Sequence, residues 1–174
     1  MATDNKIVFE DFTDEVTEEI KDIILNWLEE ASSEIESQAI ARTGTGKYYR
    51  NIAEKWTHKV DSNKYEATIG NPLENALWVE FGTGEYALNG DGRKGYWVFV
   101  KDSTGKSSKS TKQYTLQEAK QTVAFMRSKG LDAMYTKGTP PKRPLHLAFK
   151  TDEEPIKDLL RNKLGSMKWW KVNY

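Results

Sequence analysis

The chain has 174 residues, 37% of them apolar and 30% charged, with a mean hydropathy of −0.74 and a formal net charge of zero. That length suits one domain with a modest core, 1–174, carrying a small inserted unit at about 96–137. With no cysteine, disulfides, zinc–thiolate sites and cysteine nucleophiles are excluded. No run approaches the ~20 apolar residues that span a bilayer, and the first residues lack the apolar core of a signal peptide, so synthesis in cytoplasm is expected.

The zero net charge hides a division. Residues 1–40 hold twelve acidic side chains against Lys6 and Lys21, and the other 134 residues hold twenty-four basic against fourteen acidic. Such a chain can carry a well-solvated acidic helix face. It can also place an acidic helix against a basic surface of a second copy, in a contact that salt weakens.

From residue 13 to about 41, apolar side chains at Val16, Ile20, Ile23, Ile24, Trp27, Leu28, Ala31, Ile35 and Ala39 follow steps of three and four. The spacing predicts one long amphipathic helix, with Thr13 as N-cap and Gly44 and Gly46 as the stop. Alternation of Ile52, Glu54, Trp56, His58 and Val60, a turn at Asp61-Ser62-Asn63, then Tyr65, Ala67 and Ile69 predict a β-hairpin. Gly70-Asn71-Pro72 is expected to open a short helix through Phe81, with Pro72 in its first turn.

Tyr96-Trp97-Val98-Phe99-Val100 reads as a strand, and 101–112 as an exposed Ser/Lys/Gly-rich loop. Thr115 and Glu118 form a capping box for a helix to Lys129, with Leu116, Ala119, Val123 and Met126 inward and Gly130 as its C′ residue. A short strand over 131–135 completes a strand-helix-strand insert, either βαβ-like or a hairpin plus helix. A C-terminal helix is expected over 145–164, with a break at 151–155 and a second capping box at Thr151 and Glu154. The tail Lys168-Trp169-Trp170-Lys171-Val172-Asn173-Tyr174 is strand-like and aromatic, and Trp169 and Trp170 are candidates either to anchor a partner or to close the core of the domain itself. The resulting fold class is α+β: a long N-terminal amphipathic helix on a small mixed or antiparallel sheet, the insert, and a C-terminal helix.

Apparent chemical motifs fail on spacing. Gly44-Thr45-Gly46-Lys47 is followed by Tyr48 where a phosphate loop needs Ser or Thr, and Val100 stands five positions before the Gly105-Lys106 pair. Asn89-Gly90-Asp91-Gly92 begins like a calcium loop, but Arg93 and Val100 occupy ligand positions. His58 and His146 are too far apart, with no third histidine or cysteine, to suggest a metal site. No catalytic residue, metal or cofactor is expected. Glu80, inside Trp78-Val79-Glu80-Phe81, reads as a structural acceptor for the 82–84 amides or for Arg50, Arg93 or Arg143. Gly82 and Gly84 permit positive φ, which serves either a tight turn or a close approach to another chain. In Pro140-Pro141-Lys142-Arg143-Pro144 the prolines direct the last helix and the two cations are free to meet acidic surface. The overall neutrality and lack of a reading motif leave only non-specific phosphate contact with DNA.

Three segments in order carry a resemblance. They are Leu77-Trp78-Val79-Glu80-Phe81-Gly82-Thr83, followed by Gly84; Asn89-Gly90-Asp91-Gly92-Arg93-Lys94-Gly95-Tyr96-Trp97; and Pro141-Lys142-Arg143-Pro144-Leu145-His146-Leu147-Ala148-Phe149. Together they resemble the neck, or tail-completion, family of long-tailed bacteriophages, also described as head–tail joining, morphogenesis or minor capsid proteins. The resemblance spans roughly residues 43–150, and the long first helix also fits it. His146 departs from the more usual aromatic or leucine, and 101–134 is longer than the commonest insert. The resemblance implies a non-enzymatic virion protein assembled in the host bacterial cytoplasm. It also implies a ring of about six subunits at the head–tail junction that binds tail and head-closure proteins and lets DNA pass. Trp78, Glu80, Phe81, Gly82, Thr83, Gly84, Arg93, Trp97, Pro141, Arg143, Pro144 and Leu145 would be its assembly residues. Alternatives are a collar of a headless contractile tail-like particle, or a glycan-binding module built around Gly130-Leu131-Asp132-Ala133.

Overall fold

The computed structural model describes residues 13–101 and 107–167. Helix α1 (Thr13–Thr43) is the spine of an α+β fold. Gly44, at φ +108°, ends it where an L side chain would be strained. Helix α5 (Pro144–Gly165) lies antiparallel along α1: Arg42 reaches Thr151, and Lys163 pairs with Glu30 at 2.8 Å. On the same helix rests a hairpin of β1 (Thr57–Asp61) and β2 (Glu66–Gly70), antiparallel from Thr57 opposite Gly70 to Asp61 opposite Glu66. Ile35 and Ala39 of α1, Trp56 and Ala148 form the core of this body, with Ile69, Leu145 and Ile156 packed around it. The Trp56 indole donates to the Thr43 hydroxyl at 2.9 Å, and that hydroxyl donates to the Ala39 carbonyl. His58 faces the acids of α1, bonded to Glu36 (2.5 Å) and Glu29 (3.2 Å).

Two further helices bracket the hairpin: α2 (Lys47–Ala53) and α3 (Glu74–Phe81). A small second cluster of Ile52, Ala76 and Val79 joins them. The insert consists of β3 (Trp97–Lys101), β4 (Ser107–Lys109), α4 (Leu116–Ser128) and β5 (Asp132–Thr136). Its strands form a separate antiparallel sheet in the order β4-β3-β5. Val98, Ala119, Val123 and Ala133 are buried where α4 covers that sheet.

Several expectations hold. The long helix, the hairpin, the Thr115–Glu118 capping box and the helix-ending Gly130 are all present. At Gly130 the chain makes both bonds of a Schellman closure, Gly130 N–H to Arg127 O and Leu131 N–H to Met126 O.

Other expectations are corrected. Residues 52–56 are not strand: Ile52 and Ala53 end α2, and β1 starts only at Thr57. Pro72 precedes α3, whose N-cap is Leu73. The loop over 101–112 contains β4, held by pairing with β3. The insert is not βαβ, since β3 and β5 are antiparallel. Leu116 is exposed. No break interrupts α5 at 151–155: Pro155 sits on its exposed side, while α1 packs along the helix and the Trp27 indole donates to the Ile156 carbonyl (2.8 Å). Thr151 therefore caps nothing; its hydroxyl accepts from Arg42 at 3.2 Å.

Candidate assembly site

Helix α3 turns Ala76, Val79 and Glu80 inward and leaves Leu77, Trp78 and Phe81 outward. Gly82 caps it at φ +74°, and a Cβ there would crowd Pro141 and the Tyr86 carbonyl. Beyond it the chain is laced to the segment entering α5. Thr83 N–H donates to the Thr139 carbonyl and Thr139 N–H to the Thr83 hydroxyl, each at 2.9 Å. In the 3₁₀ turn Gly84–Tyr86, Glu85 N–H donates to the Lys137 carbonyl at 2.9 Å. The Glu85 carboxylate accepts Gly95 N–H and lies 3.5 Å from the Lys137 ammonium. A Cβ at Gly84 would strike the Trp97 ring and the Lys137 carbonyl, and one at Gly138 the Thr83 carbonyl. The close approach that these glycines permit is made within the chain, as a tight turn laced to the segment entering α5.

The partners of Glu80 are different from those expected. Its two carboxylate oxygens accept the N–H groups of Leu145 (2.9 Å) and His146 (3.1 Å), neither an arginine nor the 82–84 amides. These are the free donors of the first turn of α5. Pro144, at N1, has no N–H, and the N-cap residue Arg143 sits in the left-handed region (φ +55°) with no capping bond of its own. A carboxylate from 65 residues away thus does what an N-cap Asp would do, with the helix dipole favouring its charge. Both oxygens are committed to structure. The carbonyl of Val79 accepts Lys142 N–H (2.8 Å) and Arg143 N–H (3.3 Å), so α3 and the start of α5 hold one another.

Lys142 is not free, because its ammonium binds the Thr43 carbonyl (3.0 Å) and lies over the Tyr49 ring. Arg93 lies over Trp97 and donates to the carbonyls of Ser110 and Lys112, each at 2.8 Å, tying the glycine loop to the insert. The structure therefore brings Glu80, Gly82, Thr83, Gly84, Trp97, Pro141, Pro144 and Leu145 into one clasp, with Arg93 at its rim. Trp169 and Trp170 lie outside the described residues.

The outer side of this clasp is apolar. Leu77 is 58% exposed, and Trp78, Phe81 and Leu88 are also open. Leu77 and Phe81 line both a cleft against Leu88 and the glycine loop and a second one leading to Phe149. Phe149 in turn borders a groove of about 580 Å³ whose floor is Trp27, Leu28 and Ile35 of α1 and whose far wall is Ala67 and Ile69 of β2. Sequence reasoning missed Leu77, Leu88 and Phe149 as surface residues. The signal was present: α3 has apolar residues on more of its circumference than one packing partner can cover. Among the described residues, no group of three or more His, Asp or Glu is arranged to hold a metal, and no helix is long and apolar enough to cross a membrane.

Comparison with family models matches residues 8–82 to a family described as "Bacteriophage HK97-gp10, putative tail-component". The match is consistent with a phage neck or tail-completion family and suggests a phage tail-component protein. It runs from the segment before α1 through the hairpin to Gly82; the glycine loop, the insert and the entry to α5 lie beyond it. No curated protein and no solved structure matches the chain.

Proposed function

We propose that this chain is a structural neck protein of a phage or prophage particle. About six copies form a ring at the head–tail junction, completing the tail, joining it to the head and leaving a channel for DNA. The observation that carries this reading is the clasp. Hydrogen bonds within the chain hold it together, while Leu77, Trp78, Phe81 and Leu88 on its outer side form an apolar surface continuous with the α1 groove. A surface of that kind marks a contact with another protein. The tail-component match over 8–82 supports placing that contact in a virion.

The division of labour follows from the geometry. Glu80 and the glycines fix the loop rigidly, so that side chains on the outer face of α3 are presented in one orientation to a neighbouring subunit or tail protein. No chemical step is required of the chain, and DNA in transit is touched only through non-specific phosphate contacts. The test is the mass of the purified protein in solution, measured across salt and concentration and followed by negative-stain imaging. Closed rings are expected. Replacing Leu77 and Phe81 together by Asp should abolish them while leaving the circular dichroism spectrum unchanged. Rings that survive this pair of substitutions would remove the clasp face from the assembly, and a protein monomeric throughout, with purified tail tube added, would overturn the reading.

A further inference from the structure

We infer that the contact between successive copies is asymmetric and electrostatic: the acidic first half of α1 on one copy seats against the basic outer side of α4 on the next. This rests on the ring reading and names the surfaces that would close it.

The first observation is the exposed half-helix. No residue of α1 before Ala31 is buried. Asp14, Glu15, Glu18, Glu19 and Asp22 fall within one arc of about 140° at ~100° per residue. Of the acids further along α1, Glu29 and Glu36 are answered by His58 and Glu30 by Lys163, while Glu34 accepts the Gln38 amide. Among the described residues, those of the first half are met by Lys21 alone, bound to Glu18 on the same helix. Asp14 and Glu15 stand in the first turn, where the helix dipole favours their charge; beyond that the carboxylates on this arc repel one another, and no further cation among the described residues pairs with them.

The second observation is an opposite surface on the insert. Residues 96–137 hold eight cations against three acids. Leu116, Lys120, Ala124 and Arg127 follow one another along one outward side of α4, with Lys112 just before its first turn. Lys112, Lys120, Arg127 and Lys129 form no ion pair within the described residues. Lys112 lies over the Tyr114 ring, Lys129 over the Phe125 ring, and Arg127 donates to the Ala133 carbonyl. The nearby acid, Glu118, is committed to the capping box with Thr115. Among the described residues, then, Lys21 alone pairs with the acidic arc and Lys112 alone feels a nearby acid, the capping Glu118, so each surface keeps an excess charge complementary to the other.

The occupant that fits both is a second copy. A patch that matches a different patch on an identical chain makes a head-to-tail contact, and such contacts propagate into a ring where the rotation closes and into an open chain where it does not. Charge complementarity of this kind fixes register and speeds encounter.

Charge reversal with rescue tests it. One variant carries Glu15→Lys and Glu19→Lys, and the other carries Lys112→Glu and Lys120→Glu; all four side chains are exposed. Light scattering at low salt should show the association of either variant alone weakened at least about tenfold. An equimolar mixture should assemble again, since each restores the opposite sign to the other, and 0.5 M salt should weaken wild type and mixture alike. Either variant assembling like wild type, or a mixture that fails to recover, overturns this contact and leaves the ring reading standing. If the insert variant instead loses retention of duplex DNA with its assembly unchanged, the basic side serves DNA and the contact is again overturned. Open chains that the reversals disrupt would support the contact and overturn closure. A wild type that stays monomeric even with purified tail tube added overturns both.

Discussion

The body and the insert are stabilised in different ways. The body core joins Ile35 and Ala39 of α1 to Trp56 and to Ala148, more than a hundred residues further on, and its last helix is capped by Glu80 from across the fold. The insert draws its whole core from residues 98–133 and caps its helix with its own Thr115, Glu118 and Gly130. Local rules suffice for the second. The first exists only once distant parts have met, and it is also the region that leaves apolar grooves open to solvent.

Substitutions can break this contrast, and the largest effect should come from the body. Trp56→Ala removes a buried indole together with its bond to Thr43, and should lower unfolding stability by about 3–5 kcal/mol in urea titration. Hydrogen exchange should show the body amides losing protection first. Glu80→Ala strips two first-turn donors of α5 of their acceptor and should cost about 2–3 kcal/mol. Glu80→Gln, which keeps one carbonyl acceptor, should lose less; equal losses would mean that packing, and not capping, is what Glu80 supplies.

Thr115→Ala should cost about 1 kcal/mol, read as faster exchange confined to α4. The smallest effect should be that of pH on the hairpin. The hydrogen bond that His58 donates to Glu36, with Glu29 beside it, holds the imidazole above its ordinary value of 6.5, against a smaller opposing effect of burial. A raised folded value means that this stabilisation is complete below pH 6.5 and is lost as pH rises through the raised value. The thermal midpoint of wild type should fall relative to His58→Ala over that window. Parallel curves would show that the Glu36–His58–Glu29 bridge contributes nothing to stability.

The sequence is most readable where neighbours in the chain are neighbours in space. Thr115 and Glu118 sit three apart, and Gly130 follows directly on its helix, so the insert's boundaries could be placed from residue types alone. The stripe from Val16 to Ala39 likewise defined α1, and the hairpin's alternation was legible from His58 to Ile69. The failures share a cause. Lys47–Ala53 is a helix of two turns, and Ile52 with Trp56 mimics the period of a strand. Ser107–Lys109 has little strand propensity and becomes a strand because β3 offers it a ladder. Pro155 looked like a break because nothing local reveals that α1 lies along α5. For Glu80, the absence of Ser, Thr, Asp or Asn before Pro144 did signal an N-terminus in need of a carboxylate; the spacing could not say whose.

The register of β3 with β5 has one more consequence. Trp97 lies directly opposite Thr136, so the thirty-eight residues between them leave the clasp and return to it at adjacent points. Partners across an antiparallel pair stand only about 5 Å apart. A tight turn of a few residues could therefore replace everything from 98 to 135 without moving Glu80, α1 or the hairpin. The insert is in this sense an exchangeable cassette. Related chains could lengthen it, shorten it or change its charge to suit a different neighbour while keeping the same body.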